Sequence, residues 1–394
     1  MKNVAIIASS LNSGGAERTA ANISNFLVSN YNVHVILFNA DEIKYPYSGK
    51  LHVLDVPSRK SLIGKILNLY KRVKCVAKIK RDEKIDVSIS LMVGPNIVNV
   101  LTKKRELVIS SIRNHMSLVR MNRLYSMIFG KILNYVCNNS DKTVCLSKGV
   151  ERDLIEHFGA KPDKLITIYN PCDVNVLLNA SSDYQQKIDM DEYSVTTMGR
   201  LTQQKGQWLL IRAFADVLKK IPNAKLYIFG EGTLENELKN LVRKLNIEKS
   251  VFFCGFVEAP HQFIKKSRLF VFSSMFEGLG NVLIEAMACG VPCISTDCLS
   301  GPREIIAPET EYVGLLDKPE YAKYGILVQT NNEQVIKYHE KLNNTEKQLS
   351  DTIVDLLQDK HLWQKYHERS LERAKDFSYD KIKEDWVSLI ETSL

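Results

Sequence analysis

The stretch FSSMFEGLGNVLIEAMACGVPCISTD, residues 272–297, decides the predicted fold. It contains the end of an apolar strand, a turn with two glycines, a helix and a second apolar strand. A strand, a helix and a parallel strand in this order are the repeating unit of a doubly wound α/β sheet. Because ligands bind such sheets beside the carboxyl ends of the strands, the turn is the predicted binding element.

The turn combines backbone donors with a carboxylate. Residues 278–281 lead into the helix, and the first N–H groups of a helix have no intrahelical partner and favour a phosphate. Glu277 in the same turn would repel a phosphate, so its oxygens are expected to accept hydrogen bonds from sugar hydroxyls. Glu285 follows eight residues later, inside the helix. These features together predict a nucleotide-sugar site.

Length and composition predict two globular domains. A chain of 394 residues exceeds one ordinary hydrophobic core, and its 45% hydrophobic and 25% charged residues are typical of soluble proteins. No apolar run reaches the roughly 18 residues of a membrane-spanning helix. The start, MKNVAIIASSLNSGG, has no small-residue cleavage site and is interpreted as a first strand rather than a signal peptide.

Charge divides unevenly along the chain. Residues 1–170 carry 26 Lys and Arg against 13 Asp and Glu, whereas the remainder carries 27 against 32. Residues 59–84 alone hold ten basic side chains interleaved with apolar ones, so this helix either has a solvated face or docks on an anionic membrane. The basic half lacks aromatic residues between its basic ones and contains no recognised nucleic-acid-binding module, so no nucleic-acid partner is expected.

The first half opens as a strand, a turn and a helix. The turn holds Gly14 and Gly15, which make either a tight turn or a close backbone approach to a phosphate; the spacing is not that of a dinucleotide-binding fingerprint. The strand at residues 107–111 runs into Arg113, Asn114 and His115. The histidine is either a ligand contact at a strand end or an ordinary surface residue.

A polar segment at residues 174–192 is interpreted as a linker. Its Asp189-Met190-Asp191 matches the DxD pattern of metal-dependent sugar transferases, but these acids precede a strand instead of following one, so no metal site is expected there. The alternation of strands and helices then restarts, with strands predicted at 193–198, 225–229, 251–254, 268–273, 291–295 and 325–328. Residues 306–324 form an insertion, and the tail from residue 346 is predicted to be helical throughout.

Arg200 and Lys205 lie in the loop after the strand at residues 193–198. They are either two solvated surface cations or a clamp for a diphosphate, with the arginine as a fork and the lysine as a point charge. In the second case they would stabilise the charge that develops when a nucleoside diphosphate leaves C1 of a sugar. The eight cysteines are scattered without zinc spacing and are expected to be reduced core residues.

Four segments resemble glycosyltransferase family 4, retaining enzymes of the GT-B fold. They are SGGAERTAANISNFL (13–27), MGRLTQQKGQWLLIRAF (198–214), FGEGTLENEL (229–238) and SSMFEGLGNVLIEAMACGVPCISTDCLSGPREII (273–306). The resemblance implies two Rossmann-like doubly wound α/β domains facing across a cleft that closes for the reaction. It places the acceptor and membrane-facing domain at 1–172, together with a final helix at 377–394, and the donor domain at 173–376.

The resemblance also implies residue roles. Glu277 would contact the donor sugar, Glu285 the ribose, and His115 or the neighbouring Asn114 the sugar from the other domain. The remaining substrate-binding residues would be Gly14, Gly15, Arg200, Lys205, Phe256, Val257, Gly278, Leu279, Gly280, Asn281 and Val282. Retention is attributed to front-face attack without an enzyme nucleophile, so Glu277 is not expected to act as the nucleophile of a glycosidase.

The SGPREI pattern is most similar to that of bacterial transferases of O-antigen, capsule and glycoprotein glycan assembly. We therefore expect a UDP-sugar donor, a polyprenyl-diphosphate-linked glycan acceptor, no metal or other cofactor, and a cytoplasmic protein peripheral on the inner face of the membrane. The alternatives are a nucleotide-sugar 2-epimerase of the same fold, which needs further acid and base groups, and a non-catalytic nucleotide-sugar-binding subunit.

Overall fold

The computed structural model describes residues 1–12, 14–40, 42–56, 61–118, 123–173, 177, 190–312, 314–330 and 341–394. Contacts divide the chain into two compact units. The first unit comprises Met1–Pro171 and Asp380–Leu394, and the second comprises Cys172–Tyr379. The acceptor and donor roles expected for the two halves stay predictions. Asp189 of the DxD-like triplet, Arg59 and most of the predicted linker lie outside the described residues.

The first unit contains a seven-stranded parallel sheet in the order β3-β2-β1-β4-β5-β6-β7. Its strands are β1 (Asn3–Ala8), β2 (Asn32–Leu37), β3 (Lys50–Val53), β4 (Val87–Leu91), β5 (Leu107–Ile112), β6 (Lys142–Cys145) and β7 (Leu165–Thr167). The connecting helices are α1 (Gly15–Leu27), α2 (Leu62–Asp82), α3 (Val93–Leu101), α4 (Arg123–Asn139) and α5 (Lys148–Phe158). The inner strands are buried along their whole length, as in a sheet covered by helices on both faces.

The second unit repeats this architecture with the order β10-β9-β8-β11-β12-β14-β13, in which only β13 is antiparallel among the described strands. Its strands are β8 (Ser194–Met198), β9 (Lys225–Phe229), β10 (Val251–Gly255), β11 (Leu269–Phe272), β12 (Cys293–Thr296), β13 (Glu320–Tyr321) and β14 (Ile326–Val328). Its helices are α6 (Gln207–Lys220), α7 (Glu235–Lys244), α8 (His261–Ile264), α9 (Asn281–Ala288), α10 (Pro302–Ile306), α11 (Asn344–Gln358) and α12 (Lys360–Ala374). The last helix, α13 (Tyr379–Ser393), belongs almost entirely to the first unit by its contacts.

The predicted fold class is confirmed, and the differences are local. The predicted helical tail divides into α11, α12 and α13. The first break falls at Asp359, which ends α11 in an extended conformation and whose carboxylate accepts the N–H groups of His361 and Leu362 to begin α12. The predicted insertion contains β13, and the edge strand β3 was not predicted. Both strands are too short to show a period, so pairing with a neighbour is what makes them strands.

All eight cysteines are free, and six of them are buried, as expected for core residues. Burial raises the pKa of the Cys137 thiol to about 11, which keeps it protonated and unreactive. Among the helices that the structure describes, none combines the length and hydropathy required to cross a membrane.

Candidate active site

The predicted donor loops meet at the topological switch point of the second sheet. The strand order reverses between β8 and β11, and ligands of open α/β sheets bind in the crevice at such a point. The loop at residues 199–206 follows β8, and the turn at residues 273–280 follows β11. Two segments about 70 residues apart in the sequence are therefore neighbours at one sheet edge.

Hydrogen bonds join these two loops. A single 3-10 turn, Gln203–Lys205, packs against the segment after β11. The Ser273 hydroxyl donates to the carbonyl of Lys205 at 3.0 Å, and the N–H of Met275 donates to the carbonyl of Gln204 at 2.8 Å. The Gln204 amide in turn donates to the carbonyl of Phe276 at 3.0 Å. The loops are thus held as one rigid element before any ligand binds.

The most informative contact of this element is an ion pair between Lys205 and Glu277. Lys205 Nζ lies 2.6 Å from Glu277 Oε1, and the two side chains are only 16% and 9% exposed. The ammonium also lies 5.2 Å from the centre of the Phe272 ring. A cation and a carboxylate side by side can bind the negative diphosphate and a hydroxyl of the attached sugar, respectively.

Two glycines shape the turn that carries Glu277. Gly280 has a φ of 92° and directly precedes α9, a backbone conformation that residues with a Cβ rarely adopt. Gly301, which was not predicted as part of the site, lies so close that a Cβ there would overlap the carbonyl oxygen of Leu279. The SGPREI segment therefore packs directly against the backbone of this turn. Its Arg303 forms a bidentate pair with Asp297 and so has a structural role.

Glu285 lies in the second turn of α9, apart from Glu277, and has its own partner. Its Oε2 is 3.2 Å from Nε2 of His261, the first residue of α8, and both side chains are about 15% exposed. His261 was not predicted, because nothing in the local sequence connects residues 24 positions apart. The imidazole orients the carboxylate that was predicted to contact the ribose.

The other predicted donor residues differ in exposure. Arg200 is exposed, and among the described residues its side chain forms no ion pair. Phe256 is 73% exposed directly after β10, whereas Val257 is buried against Tyr227 and Phe263. The Phe256 ring can therefore face a ligand, while the side chain of Val257 belongs to the core.

In the first unit, the equivalent switch point lies between β1 and β4. Gly14 has a φ of 123° and immediately precedes α1, and its N–H donates to the Tyr45 hydroxyl at 3.4 Å. A Cβ at Gly15 would meet no atom within 4 Å, so the helix N-terminus is open on this side. The predicted approach of this turn to a phosphate stays a prediction.

His115 and Asp153 form a pair beside the end of β5. His115 Nδ1 lies 3.3 Å from Asp153 Oδ1, while Asp153 Oδ2 accepts the N–H groups of Met116 at 2.6 Å and Ser117 at 3.2 Å. The carboxylate thus fixes the loop by hydrogen bonds and places a negative charge beside the ring, whose Nδ1 lies 3.2 Å from the Ser117 hydroxyl. Burial lowers the pKa of His115, and the charge of Asp153 opposes that shift only in part, so the imidazole is neutral at pH 7. Asn114, the alternative candidate, is exposed.

Arg113 is a residue that the sequence did not single out. Its guanidinium is buried and donates to Asn170, to the Thr19 hydroxyl at 3.3 Å and to the Ser111 hydroxyl at 3.3 Å. No carboxylate pairs with it in the part of the chain that the structure describes, and burial lowers its pKa to about 10. The cation remains charged at pH 7 and holds the ends of β5 and β7 against α1.

Comparison with known proteins identifies the class. The model described as "Glycosyl transferases group 1" matches residues 179–344, and "Glycosyltransferase Family 4" matches residues 13–176. An uncharacterised glycosyltransferase of Methanocaldococcus jannaschii is 36% identical over 342 residues, covering 83% of this chain and 84% of the relative. The fold matches the crystal structure of HepE from Anabaena in complex with UDP and glucose, with a TM-score of 0.75, 18% identity and complete coverage of both chains.

A second relative carries a specific name. It is the N-acetylgalactosamine-N,N'-diacetylbacillosaminyl-diphospho-undecaprenol 4-alpha-N-acetylgalactosaminyltransferase of Campylobacter jejuni, 30% identical over 392 residues and 98% of each chain. The fold and the sheet-edge site thus define a glycosyltransferase of the GT-B class. The chain belongs to glycosyltransferase family 4, and this membership supports a transferase over the epimerase and the non-catalytic subunit.

Proposed function

We propose that the protein is a retaining glycosyltransferase that moves a hexose or N-acetylhexosamine from a UDP-sugar to a lipid-linked glycan during bacterial surface polysaccharide assembly. The observation that carries this proposal is the Lys205–Glu277 pair at the switch point of the second sheet. It offers one group of each charge where a sugar diphosphate presents hydroxyls and negative oxygens within a few bonds of each other.

The bond that breaks joins C1 of the sugar to an oxygen of the diphosphate, and negative charge grows on that oxygen. Lys205, Arg200 and the N–H groups that begin α9 stabilise this charge, the last through the positive end of the helix. The acceptor oxygen bonds to C1 on the face that the diphosphate leaves, and its proton passes to the departing diphosphate. Glu277 holds the sugar hydroxyls during this displacement, and no metal is needed for the charge.

His115 is the neutral group of the first unit that we assign to a sugar hydroxyl. Its Nδ1 faces the Ser117 hydroxyl at 3.2 Å and Asp153 at 3.3 Å, which leaves Nε2 for that hydroxyl. Glu285 holds the ribose through its hydroxyls, and the exposed ring of Phe256 lies at the base.

A cavity of about 580 Å³ in the first unit is proposed to receive the acceptor glycan. Ser117, Met127, Lys131, His157 and Phe158 line it, which combines hydrogen-bonding groups with apolar surface as sugar rings require. His157 Nδ1 lies 3.2 Å from the same Asp153 oxygen that contacts His115, so the cavity adjoins the proposed catalytic histidine. The diphospho-undecaprenol in the name of the Campylobacter relative supports a lipid-linked diphosphate acceptor.

The first half of α2 is proposed to bind the anionic membrane that carries this acceptor. Ile63, Ile66 and Tyr70 are between 61% and 72% exposed and follow one another at helical spacing. Four exposed lysines lie along the same helix, at positions 65, 71, 74 and 78. An exposed apolar stripe beside lysines suits an interface of acyl chains and anionic headgroups. Two further cations of α2 face the protein instead: Arg72 donates to the carbonyl of Val56, and Lys80 pairs with Glu106.

The test is a donor screen with purified protein and a polyprenyl-diphosphate-linked disaccharide. UDP-, GDP- and ADP-sugars are compared by nucleotide release and by mass spectrometry of the extended lipid, and NMR of the product gives the anomeric configuration. We expect release from UDP-sugars, dependence on the lipid-linked acceptor and retention at C1. Turnover of GDP- or ADP-sugars alone, or an inverted product, would contradict the proposal.

A further inference from the structure

Three potential metal ligands converge on one face of the first sheet, away from the candidate active site. His34 lies on β2 and His52 on the neighbouring β3. His34 is opposite Lys50 and Ile36 is opposite His52, so the two histidines are two residues out of register and project from the same face. Glu83 directly follows α2, which returns to this face. Its carbonyl accepts from Asn3, the first residue of β1, so the cluster lies toward the amino-terminal edge of the sheet.

The distances among these ligands suit a single small ion. His34 Nδ1 is 3.1 Å from His52 Nε2 and 3.9 Å from Glu83 Oε2, and His52 Nε2 is 4.0 Å from Glu83 Oε1. Zinc bonds of about 2.1 Å at tetrahedral angles place ligand atoms about 3.4 Å apart. The observed distances bracket that value, so small side-chain rotations suffice to bring all three atoms to one ion.

The chemical state of the ligands also suits a metal. His34 Nδ1 and His52 Nε2 lie within hydrogen-bond distance of each other, so one of them carries the shared proton and a bound ion would displace it. The carboxylate currently pairs with Lys50, whose Nζ lies 2.7 Å from Glu83 Oε1. The Lys50 side chain is 61% exposed and can turn into solvent when a dication takes its place.

Space for a fourth ligand adjoins the cluster. A cavity of about 550 Å³ is lined by residues that include Asn3, Tyr31, His34, Lys50 and Glu83. It provides an entry path for the ion and room for a water molecule to complete four-coordination. The carboxyl-edge loops that carry Gly14 and His115 leave the sheet at its other edge.

We propose that His34, His52 and Glu83 bind one Zn²⁺ ion, which ties the edge strand β3 to the C-terminal end of α2. The edge strand is otherwise held by β2 alone among the described strands. A metal bond from strand to helix would stabilise the first unit by mass action, since the ligands are assembled only in the folded protein. The inference does not depend on the donor or acceptor proposed above.

The test uses the full-length protein without a polyhistidine tag, stripped with EDTA and dialysed. Calorimetric titration with Zn²⁺ should give one site per chain, and Co²⁺ should give the intense visible bands of four-coordinate cobalt. His52→Gln or Glu83→Gln should weaken binding by at least about 100-fold, the upper end of the loss seen when only an outer-shell partner is removed. The matched control is His361→Gln, an exposed histidine of the second unit, which should bind as wild type does.

A variant that should bind Zn²⁺ more tightly than wild type distinguishes the loss of a ligand from the loss of folding. Lys50→Gln removes the competing ammonium and should tighten Zn²⁺ binding severalfold. Zn²⁺ should also raise the melting temperature of wild type and Lys50→Gln but not of His52→Gln. Absence of a stoichiometric site, equal affinity of wild type and His52→Gln, or weaker binding by Lys50→Gln would overturn the proposal and leave a hydrogen-bonded histidine pair.

Discussion

The two sheets arrange their first five strands in the same order but differ at their carboxyl edges. In each sheet the strand order reverses beside the first strand of that unit. The second unit presents an ion pair there, Lys205 with Glu277, within reach of solvent. The first unit presents a buried guanidinium, Arg113, with neutral partners, and a neutral imidazole held by a carboxylate. The fold thus supplies two equivalent positions, and the loops give them different chemistry.

The difference matches the tasks that we assign to the two units. A departing diphosphate requires cations and helix N-terminal donors, which the second unit provides. A sugar hydroxyl requires a neutral acceptor or donor in a fixed orientation, the task we assign to His115, whose loop Asp153 holds through the N–H groups of Met116 and Ser117. Each of the following experiments changes a residue at the site of one unit, the proposed membrane-binding surface of α2, or the metal available to the enzyme.

The largest expected loss of activity follows the substitution of Glu277. Glu277→Gln should lower kcat by about 10²–10³-fold, the usual loss when one preorganised transition-state contact is removed. Because the side chain is buried and paired with Lys205, Gln is preferable to Ala, and the melting temperature must be measured beside the rate. If Glu277→Gln keeps the turnover of the wild type, Glu277 is a structural partner of the lysine and has no contact with the sugar.

The proposed membrane-binding surface of α2 should show an effect of similar size. Each lysine near an anionic surface contributes about 1 kcal/mol, so replacing Lys65, Lys71, Lys74 and Lys78 with Glu should weaken binding to phosphatidylglycerol vesicles by on the order of 1,000-fold. Vesicle sedimentation measures the change. The matched control replaces four exposed lysines of the second unit with Glu, namely Lys219, Lys239, Lys244 and Lys249. Equal loss in both sets would mean that net charge, and not α2, determines binding.

A smaller effect is expected at Asp153. Its charge raises the pKa of His115 against the lowering by burial, so Asp153→Asn should lower that pKa further. If transfer needs the neutral ring, kcat/KM falls as pH decreases through the pKa of His115. The acidic limb should therefore move to lower pH in Asp153→Asn, with a roughly tenfold lower plateau because the loop that carries His115 loses its charged acceptor. An acidic limb at the wild-type position would assign it to another group.

No effect on rate is expected from a chelator. In the mechanism we propose, Lys205, Arg200 and the α9 N-terminus supply the charge that a metal supplies in other transferases, so EDTA should leave the initial rate unchanged at a temperature well below unfolding. The control adds excess Mg²⁺ or Mn²⁺ after EDTA. A rate that falls on chelation and recovers with one of these ions would contradict metal-independent transfer.

Local patterns in the sequence predicted the fold and many candidate site residues. Buried apolar strands, the glycine turns and the Glu277 segment can be recognised within about 30 residues, because backbone preferences and helix-end chemistry act over short distances. The edge strand β3 escaped prediction because four residues show no period. His261 and Asp153 were not predicted, because their partners, Glu285 and His115, are distant from them in the sequence.

The sequence by itself determined two doubly wound domains and the chemical groups at their strand ends. Only the tertiary structure decided which groups are partners: Lys205 with Glu277, His261 with Glu285, Asp153 with His115, and His34 with His52 and Glu83. It also separated the four exposed lysines of α2 from Arg72 and Lys80, which face the protein. The physical reason is that pairing and burial depend on strand order and helix packing, which join residues that no local pattern connects.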